Sequence, residues 1–218
     1  MERRRAVSLV IDYVVAHVFI IGRRQAELDT AVKELGDHTV GVQGDVSKPE
    51  DLDRLYAAVS DSGRRVDVLF ANAAILEAAR IGDITDVQLD YQLGASVILN
   101  ASNVAARRSD GLGVYAAIKA AIRSFARTWA SELRDHKIRV NAVSPGATDT
   151  PGIDTVARML FPGQDAEQQF EDYQRSIVSI GRYGTPEEVA SAVLFLASDL
   201  SSFTTGADIP VDGGINQI

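Results

Sequence analysis

Short apolar runs alternate along this chain with stretches whose apolar residues recur every three or four positions. Residues 17–21 (His-Val-Phe-Ile-Ile) form a run of strand length that Gly22 closes. From Gln25 to Leu35 the apolar set Ala26, Leu28, Ala31, Val32 and Leu35 has a helical period, and Gly36 follows it. Residues 39–43 read as a second strand. A helix is expected to start at Ser47-Lys-Pro-Glu50: Ser47 as cap, Pro49 in the first turn, Glu50 three positions after the cap. It should run to about Ser60. Strands are expected at 66–70 and 96–99. A long helix from about Val114 to Arg134 follows, with Val114, Ile118, Ile122, Phe125, Trp129 and Leu133 on one stripe. A strand at 138–143, a helix at 186–198 and a strand at 207–211 complete the pattern.

Strand–helix alternation of this kind predicts an α/β fold, a doubly wound parallel sheet with helices on both faces. The whole chain, residues 1–218, reads as a single domain. Residues 151–179 are its least regular part, and their place suits a lid over a substrate. One segment does not fit. Residues 7–11 (Val-Ser-Leu-Val-Ile) have the look of a first strand, yet only six residues separate them from Val18. A parallel crossover with its helix needs at least about 10–12 residues. The first strand–helix unit is therefore expected to be incomplete, and no G-x-x-x-G-x-G turn stands near it.

Composition narrows the chemistry. A net charge of -8 argues against nucleic acid as a partner. No apolar run approaches the roughly 18 residues of a membrane span, so a cytoplasmic protein is expected. The chain has no cysteine, and its three histidines (His17, His38 and His136) lack metal-ligand spacing. No metal site is expected.

The strongest chemical signal is Tyr115-Ala-Ala-Ile-Lys119, with Ser102 thirteen residues upstream. Residues at i and i+4 share a helix face. An ammonium beside a phenol should lower the phenol's pKa from about 10 towards neutrality. Such a tyrosine can give a proton to a carbonyl oxygen or take one from an alcohol. Ser102, just after a strand, can reach the same oxygen. Other polar or special residues fall at carboxyl ends of expected strands, where open α/β sheets bind ligands. These are Asp45-Val46, Asn72-Ala73-Ala74, and Asn141-Ala-Val-Ser-Pro145-Gly146 with Thr150 beyond.

Together with the tail Gly181-Arg-Tyr-Gly184, Thr205-Gly206 and Val211-Asp-Gly-Gly214, this order of motifs resembles the short-chain dehydrogenase/reductase family. The resemblance covers residues 16–79 and 96–218 and implies a Rossmann-like fold. It also implies an oxidoreductase that moves a hydride between a nicotinamide cofactor and a carbonyl or secondary alcohol. Tyr115 would be the acid/base. Lys119 would tune it and hold the nicotinamide ribose, and Ser102 would polarise the substrate oxygen. Asp45 and Val46 would line the adenine. Asn72 and Ala73 would lie beside the adenosine ribose, although Asn72 reads equally well as a group bonding the backbone of a neighbouring strand. Pro145, Gly146 and Thr150 would flank the nicotinamide.

Gly22 stands where an acidic residue would bind the ribose 2′-hydroxyl of NAD. Arg23 and Arg24 beside it suit the 2′-phosphate of NADP, so NADP is expected over NAD. The alternative is that both arginines only begin a solvated helix. Family members commonly form dimers or tetramers, and with the segment before Ser96 short and segments 186–198 and 207–211 complete, a homodimer through the C-terminal segments or a weakly associating monomer is expected in place of a tetramer.

The chain departs from the family at three places. The glycine-rich turn is missing, Ala74 replaces a glycine, and the segment between Asn72 and Ser96 is short and offers no asparagine over residues 86–95. The losses are block-like, as in segment deletion. They leave a second expectation beside the reductase: an inactive relative that serves as a binding or subunit-like protein.

Overall fold

The computed structural model describes residues 16–72, 91–107, 110–161 and 163–217, with residues 91–93 as backbone only. These residues fall into two compact units, 16–67 with 91–92, and 68–72 with 93–217.

In the first unit, strand β1 (Val18–Gly22) pairs in parallel with β2 (Thr39–Gln43), Val18 opposite Thr39 and Gly22 opposite Gln43. Helix α1 (Gln25–Leu35) makes the crossover. Its Leu28 and Ala31 pack on Ile20, with Val18 and Val32 at the margin. Gly36 ends the helix at φ 86°, a conformation open to glycine, and its N–H returns to the Val32 carbonyl. Helix α2 (Pro49–Asp61) starts one residue later than Ser47 would allow as a cap. Ser47 instead folds back on Asp45: its N–H and hydroxyl both donate to Asp45 Oδ1, at 3.0 and 2.8 Å. An Asx turn has won over the helix cap.

The second sheet has the order β3-β4-β5-β6: β3 (Val66–Ala71), β4 (Tyr91–Asn100), β5 (Arg139–Pro145) and β6 (Asp208–Val211). β4 and β5 run parallel with Ser96 opposite Arg139 and Asn100 opposite Val143; β5 and β6 run parallel with Ala142 opposite Asp208. Val97, Ile98 and Leu99 of β4 and Val140, Ala142 and Val143 of β5 are buried without alternation. A sheet covered on both faces requires that. Helix α3 (Gly113–Glu132) and helix α6 (Pro186–Ala197) belong to this unit, and α6 buries Val193 and Leu196 completely. Asn141, fully buried, ties β5 to the approach of β6: its Nδ2 donates to the Thr204 carbonyl and its Oδ1 accepts from Ala207 N–H. The start of α6 carries a complete capping box. Glu188 N–H donates to Thr185 Oγ1, Thr185 N–H to Glu188 Oε2, and Arg182 clamps the same carboxylate at 2.6 Å.

Residues 151–179 are more regular than their sequence suggests. They hold α4 (Pro151–Leu160) and α5 (Ala166–Ile177). In α5 the buried residues are Ala166, Phe170 and Gln174, spaced by four. One of the three is polar and most of the rest of the helix is charged or polar, so apolar periodicity alone understates it. Phe161 makes an edge contact with Phe170 at 5.9 Å.

In the usual doubly wound order, 3-2-1-4-5-6, β1 and β2 answer to strands 2 and 3, and β3 onward to 4 onward. The segment 7–11 lies outside the described residues. Val68 of β3 remains 36% exposed, as suits a strand at the edge of its sheet among the described strands.

Candidate active site

β4 ends at Asn100, and the chain stays extended through Ser102 (φ -168°, ψ 152°) before a short 3-10 turn over Asn103–Ala106. Ser102 is buried at the mouth of that turn. α3 begins at Gly113, after Gly111 at φ 78°, so Tyr115 sits in its first turn and Lys119 one turn on. The Ser102 hydroxyl lies near enough to the Tyr115 phenol to favour its charged form. Lys119 is only 2% exposed; its Nζ donates to the Asn100 carbonyl at 2.7 Å and lies 5.7 Å from the centre of the Tyr115 ring. The three residues expected to act together are therefore adjacent.

Their electrostatics differ from the expectation in one respect. The Tyr115 phenol is pushed up by burial, and the nearby Ser102 hydroxyl opposes this only in part. Lys119 is pushed down, also by burial. Desolvation disfavours both charged forms. The ammonium faces the Asn100 carbonyl, and the depression of the phenol inferred from spacing does not arise in this structure.

Asn72 meets a side chain of the neighbouring strand and not its backbone. Asn100 Nδ2 donates to Asn72 Oδ1 at 2.6 Å, while Asn100 Oδ1 is buried without a hydrogen-bond partner. Ala73 and Ala74 lie outside the described residues. Pro145 ends β5, and Gly146 N–H donates to the Val211 carbonyl at 3.0 Å. A Cβ on Gly146 would lie 2.8 Å from the Asp212 Cα, so only glycine fits that approach. Thr150 stands at the N-cap of α4 without using its side chain as a cap.

The remaining expected residues belong to the first unit and are described by themselves. Arg24 pairs with Glu27 at 2.9 Å. Arg23 is exposed and makes no ion pair among the described residues. The Asp45 carboxyl is held below the usual carboxylate range by the two bonds from Ser47, helped by the Arg23 charge. Asp45 N–H donates to Asp51 Oδ2 at 2.7 Å, which fixes the turn after β2. Val46 is 38% exposed at that turn.

Three asparagines near Ser102 escaped the sequence reading: Asn100, Asn103 and Asn216. Asn100 and Asn103 flank Ser102 closely enough to have been considered. Asn216 lies 113 positions from its partner, and no local pattern points to it.

A parallel α/β chain with a serine, a tyrosine and a buried lysine converging at one strand end has the make-up of an oxidoreductase. Residues 89–216 match the family model described as enoyl-(acyl carrier protein) reductase, and residues 6–93 match the one described as short chain dehydrogenase. The chain is 38% identical to the oxidoreductase asL5 of Sarocladium schorii over 225 positions, covering 93% of this chain and 87% of that one. It is 32% identical to a 3-oxoacyl-acyl-carrier-protein reductase of Thermotoga maritima, covering 86% and 82%. The crystal structure of L-sorbose reductase from Gluconobacter frateurii, complexed with NADPH and L-sorbose, superposes with a TM-score of 0.78 at 26% identity over 93% of this chain and 88% of that one. The chain belongs to the short-chain dehydrogenase/reductase family, whose members bind nicotinamide cofactors. The first of these alignments runs over more positions than this chain's 218 residues, so the relative has internal positions for which this chain has no counterpart.

Proposed function

We propose that the chain is an NADP-dependent reductase of a small carbonyl compound, reversible towards the secondary alcohol, with Tyr115 as acid/base. The observation that carries this reading is a buried Lys119 one helical turn from Tyr115, its ammonium 5.7 Å from the ring centre and bonded to the Asn100 carbonyl two residues before Ser102.

The donor set suits the cofactor in part. An ammonium has three donors; one is given to Asn100, which leaves donors for ribose hydroxyls. Arg23, with no ion pair among the described residues, suits a 2′-phosphate better than Arg24, which Glu27 already engages. The ionised Asp45 offers an acceptor for an adenine amino group. No residue is assigned to the pyrophosphate, because the glycine-rich turn is absent from the sequence. The donors lost there are worth about 1.5–3 kcal/mol each, so cofactor affinity should be low for the family.

When bound, the reduced nicotinamide supplies a hydride to the carbonyl carbon. In that step Ser102 donates a hydrogen bond to the carbonyl oxygen, and Tyr115 transfers its proton to the same oxygen as the alcohol forms. Burial keeps the phenol protonated, which favours reduction at neutral pH. α4 and α5 would cover the substrate as a lid. Within this reading the protein is cytoplasmic and pairs as a homodimer through α6 and β6. No helix among the described residues is long and apolar enough to cross a membrane.

The test is a titration with NADPH and NADH, followed by nicotinamide fluorescence and by the melting temperature. NADPH should raise the melting temperature, and NADH should do so less. Arg23→Ala should weaken NADPH binding and leave NADH binding nearly unchanged. Equal losses for both would remove Arg23 from phosphate recognition. No response to either cofactor would favour the inactive binding relative.

A further inference from the structure

α4 and α5 leave the sheet and return to it through two short segments, and those segments are bonded to each other. Residues 147–149 lead out, between Gly146 and the Thr150 N-cap of α4. Residues 178–184 lead back, between α5 and α6. Thr148 and Gly184 form an isolated parallel bridge. Gly184 N–H donates to the Ala147 carbonyl at 3.0 Å, and the Gly184 carbonyl accepts from Asp149 N–H at 2.9 Å. Gly184 thus commits both backbone groups to the outgoing segment and has no side chain by which to be held. Its position depends on its neighbours.

Those neighbours converge on one carboxylate. Thr185 N–H donates to Glu188 Oε2 at 2.8 Å, and Glu188 N–H donates to Thr185 Oγ1 at 3.3 Å. On the other side of Gly184, Arg182 donates from Nη1 to Glu188 Oε2 at 2.9 Å and from Nη2 to Oε1 at 2.6 Å. Its Nη1 also reaches the Tyr183 carbonyl at 2.8 Å, and the Tyr183 ring lies against Phe170 of α5, 6.5 Å between centres. Glu188 stands in the first turn of α6, which is tied to the sheet at its far end. Ser96 Oγ and Arg139 Nη1 both donate to the Leu196 carbonyl there, at 2.8 and 2.9 Å.

The needs of the helix do not account for this arrangement. The exchange between Thr185 and Glu188 already completes the cap. A guanidinium at a helix N-terminus faces the positive end of the dipole, which is unfavourable for the helix. The fork from Arg182 is explained instead by the returning segment that carries it. An isolated exposed ion pair would hold that segment weakly. Bidentate geometry and the adjoining backbone bonds make this one a fixed joint.

We propose that Glu188 is a positioning residue for the lid. Through Arg182 on one side and Thr185 on the other it fixes Gly184, and through the Gly184 bridge it fixes both roots of α4 and α5 at once. The lid then closes over the Tyr115 site as one body. This rests on the reading of α4 and α5 as a substrate lid given above. Without the fork the roots part more often, the closed state loses population, and apparent substrate affinity falls in proportion. The chemistry at Tyr115 is untouched.

Hydrogen exchange on the full chain tests the joint without substrate or cofactor. Arg182→Leu removes the fork and leaves the capping box whole. The amides of Asp149, Gly184 and Ile153, the last bonded to the Thr150 carbonyl, should exchange about 10-fold faster. The amides of Glu188 and Val189 at the cap of α6 should keep their rates. Glu188→Gln weakens the same fork from its other end and should speed exchange at Asp149 and Gly184 in the same direction. Unchanged exchange at those two amides in both variants overturns the proposal. So does a change confined to Glu188 and Val189, the mark of a helix cap and nothing more. Should Arg182→Leu fail to fold, Glu188→Gln decides alone. With NADPH and diacetyl as the carbonyl probe, Arg182→Leu should raise KM about 10-fold and leave kcat within about twofold. A fall in kcat at constant KM overturns the link to the lid. The two readings fail separately. Faster exchange at the roots in a chain that neither binds NADPH nor turns over leaves the joint standing and sinks the reductase, whereas turnover with unchanged exchange does the reverse.

Discussion

At the scale of single residues, the site is a contest between burial and hydrogen bonding over one phenol. Burial raises the Tyr115 pKa, and Ser102 lowers it by less. The value of kcat/KM for reduction reports the free enzyme. It should therefore be flat through neutral pH and fall only above the ordinary phenol value of about 10, because in the proposed reaction the acid form is the active one. A fall already complete near pH 8 would show that Lys119 governs the phenol after all. Tyr115→Phe should lower kcat by about 10²–10⁴-fold, the usual worth of a general acid, with the melting temperature nearly unchanged. The spacing of Tyr115 and Lys119 and their distance from Ser102 were legible in the sequence. The direction in which Lys119 points was not. It depends on a backbone carbonyl, which no residue letter records, and on how far the ammonium is desolvated.

At the scale of elements, α1 and β2 follow the sequence residue for residue, since each has a clear period and a glycine or turn behind it. The start of α2 does not. Ser47 has two competing uses, and Asp45 two residues earlier offers the nearer acceptor. α5 hid its period because a buried glutamine, Gln174, occupies one apolar place. The start of α6 yields a prediction. Its Glu188 carboxyl lies at about 2, held down by Arg182 and by the Thr185 N–H. A carboxyl depressed in the folded state stabilises it above the unfolded value near 4.5, and that contribution disappears as pH falls towards 2. The stability difference between the protein and Glu188→Gln should therefore be constant above about pH 5 and shrink between there and pH 2. Denaturant midpoints measured at several pH values check this. A difference that does not vary over that range would mean that the capping box acts by shape alone.

At the scale of the whole molecule, the described strands form a two-stranded and a four-stranded sheet. The missing glycine turn and the connection too short for a crossover were legible in the sequence. The order of the strands was not, because strand order is a long-range property that periodicity does not encode. The assembly proposal is testable at this scale. Leu200 is 83% exposed and Phe203 wholly so, both just beyond α6. If α6 and β6 carry a homodimer, Leu200→Asp with Phe203→Asp should convert a dimer to a monomer in sedimentation. Cofactor response should survive the change. A sedimentation coefficient untouched by both substitutions would move the interface elsewhere or remove it.

The crowding around Asp212 has a bearing on how this protein could change over generations. Gly146 meets the Asp212 Cα, and a Cβ on Gly213, at φ 63°, would lie 2.6 Å from Val178 Cγ1. Neither position has a tolerable neighbour in mutational space: at 146 the contact is backbone, which no rotamer change relieves, and at 213 a side chain would meet Val178 from a left-handed conformation that favours glycine. An evolving lineage can explore α4 and α5 one residue at a time. At 146 and 213 it must wait for coordinated substitutions on both sides of the contact. A saturation library would accordingly accept nearly every residue at exposed Met159 and Tyr173. At those two glycines it would return almost nothing but the parent.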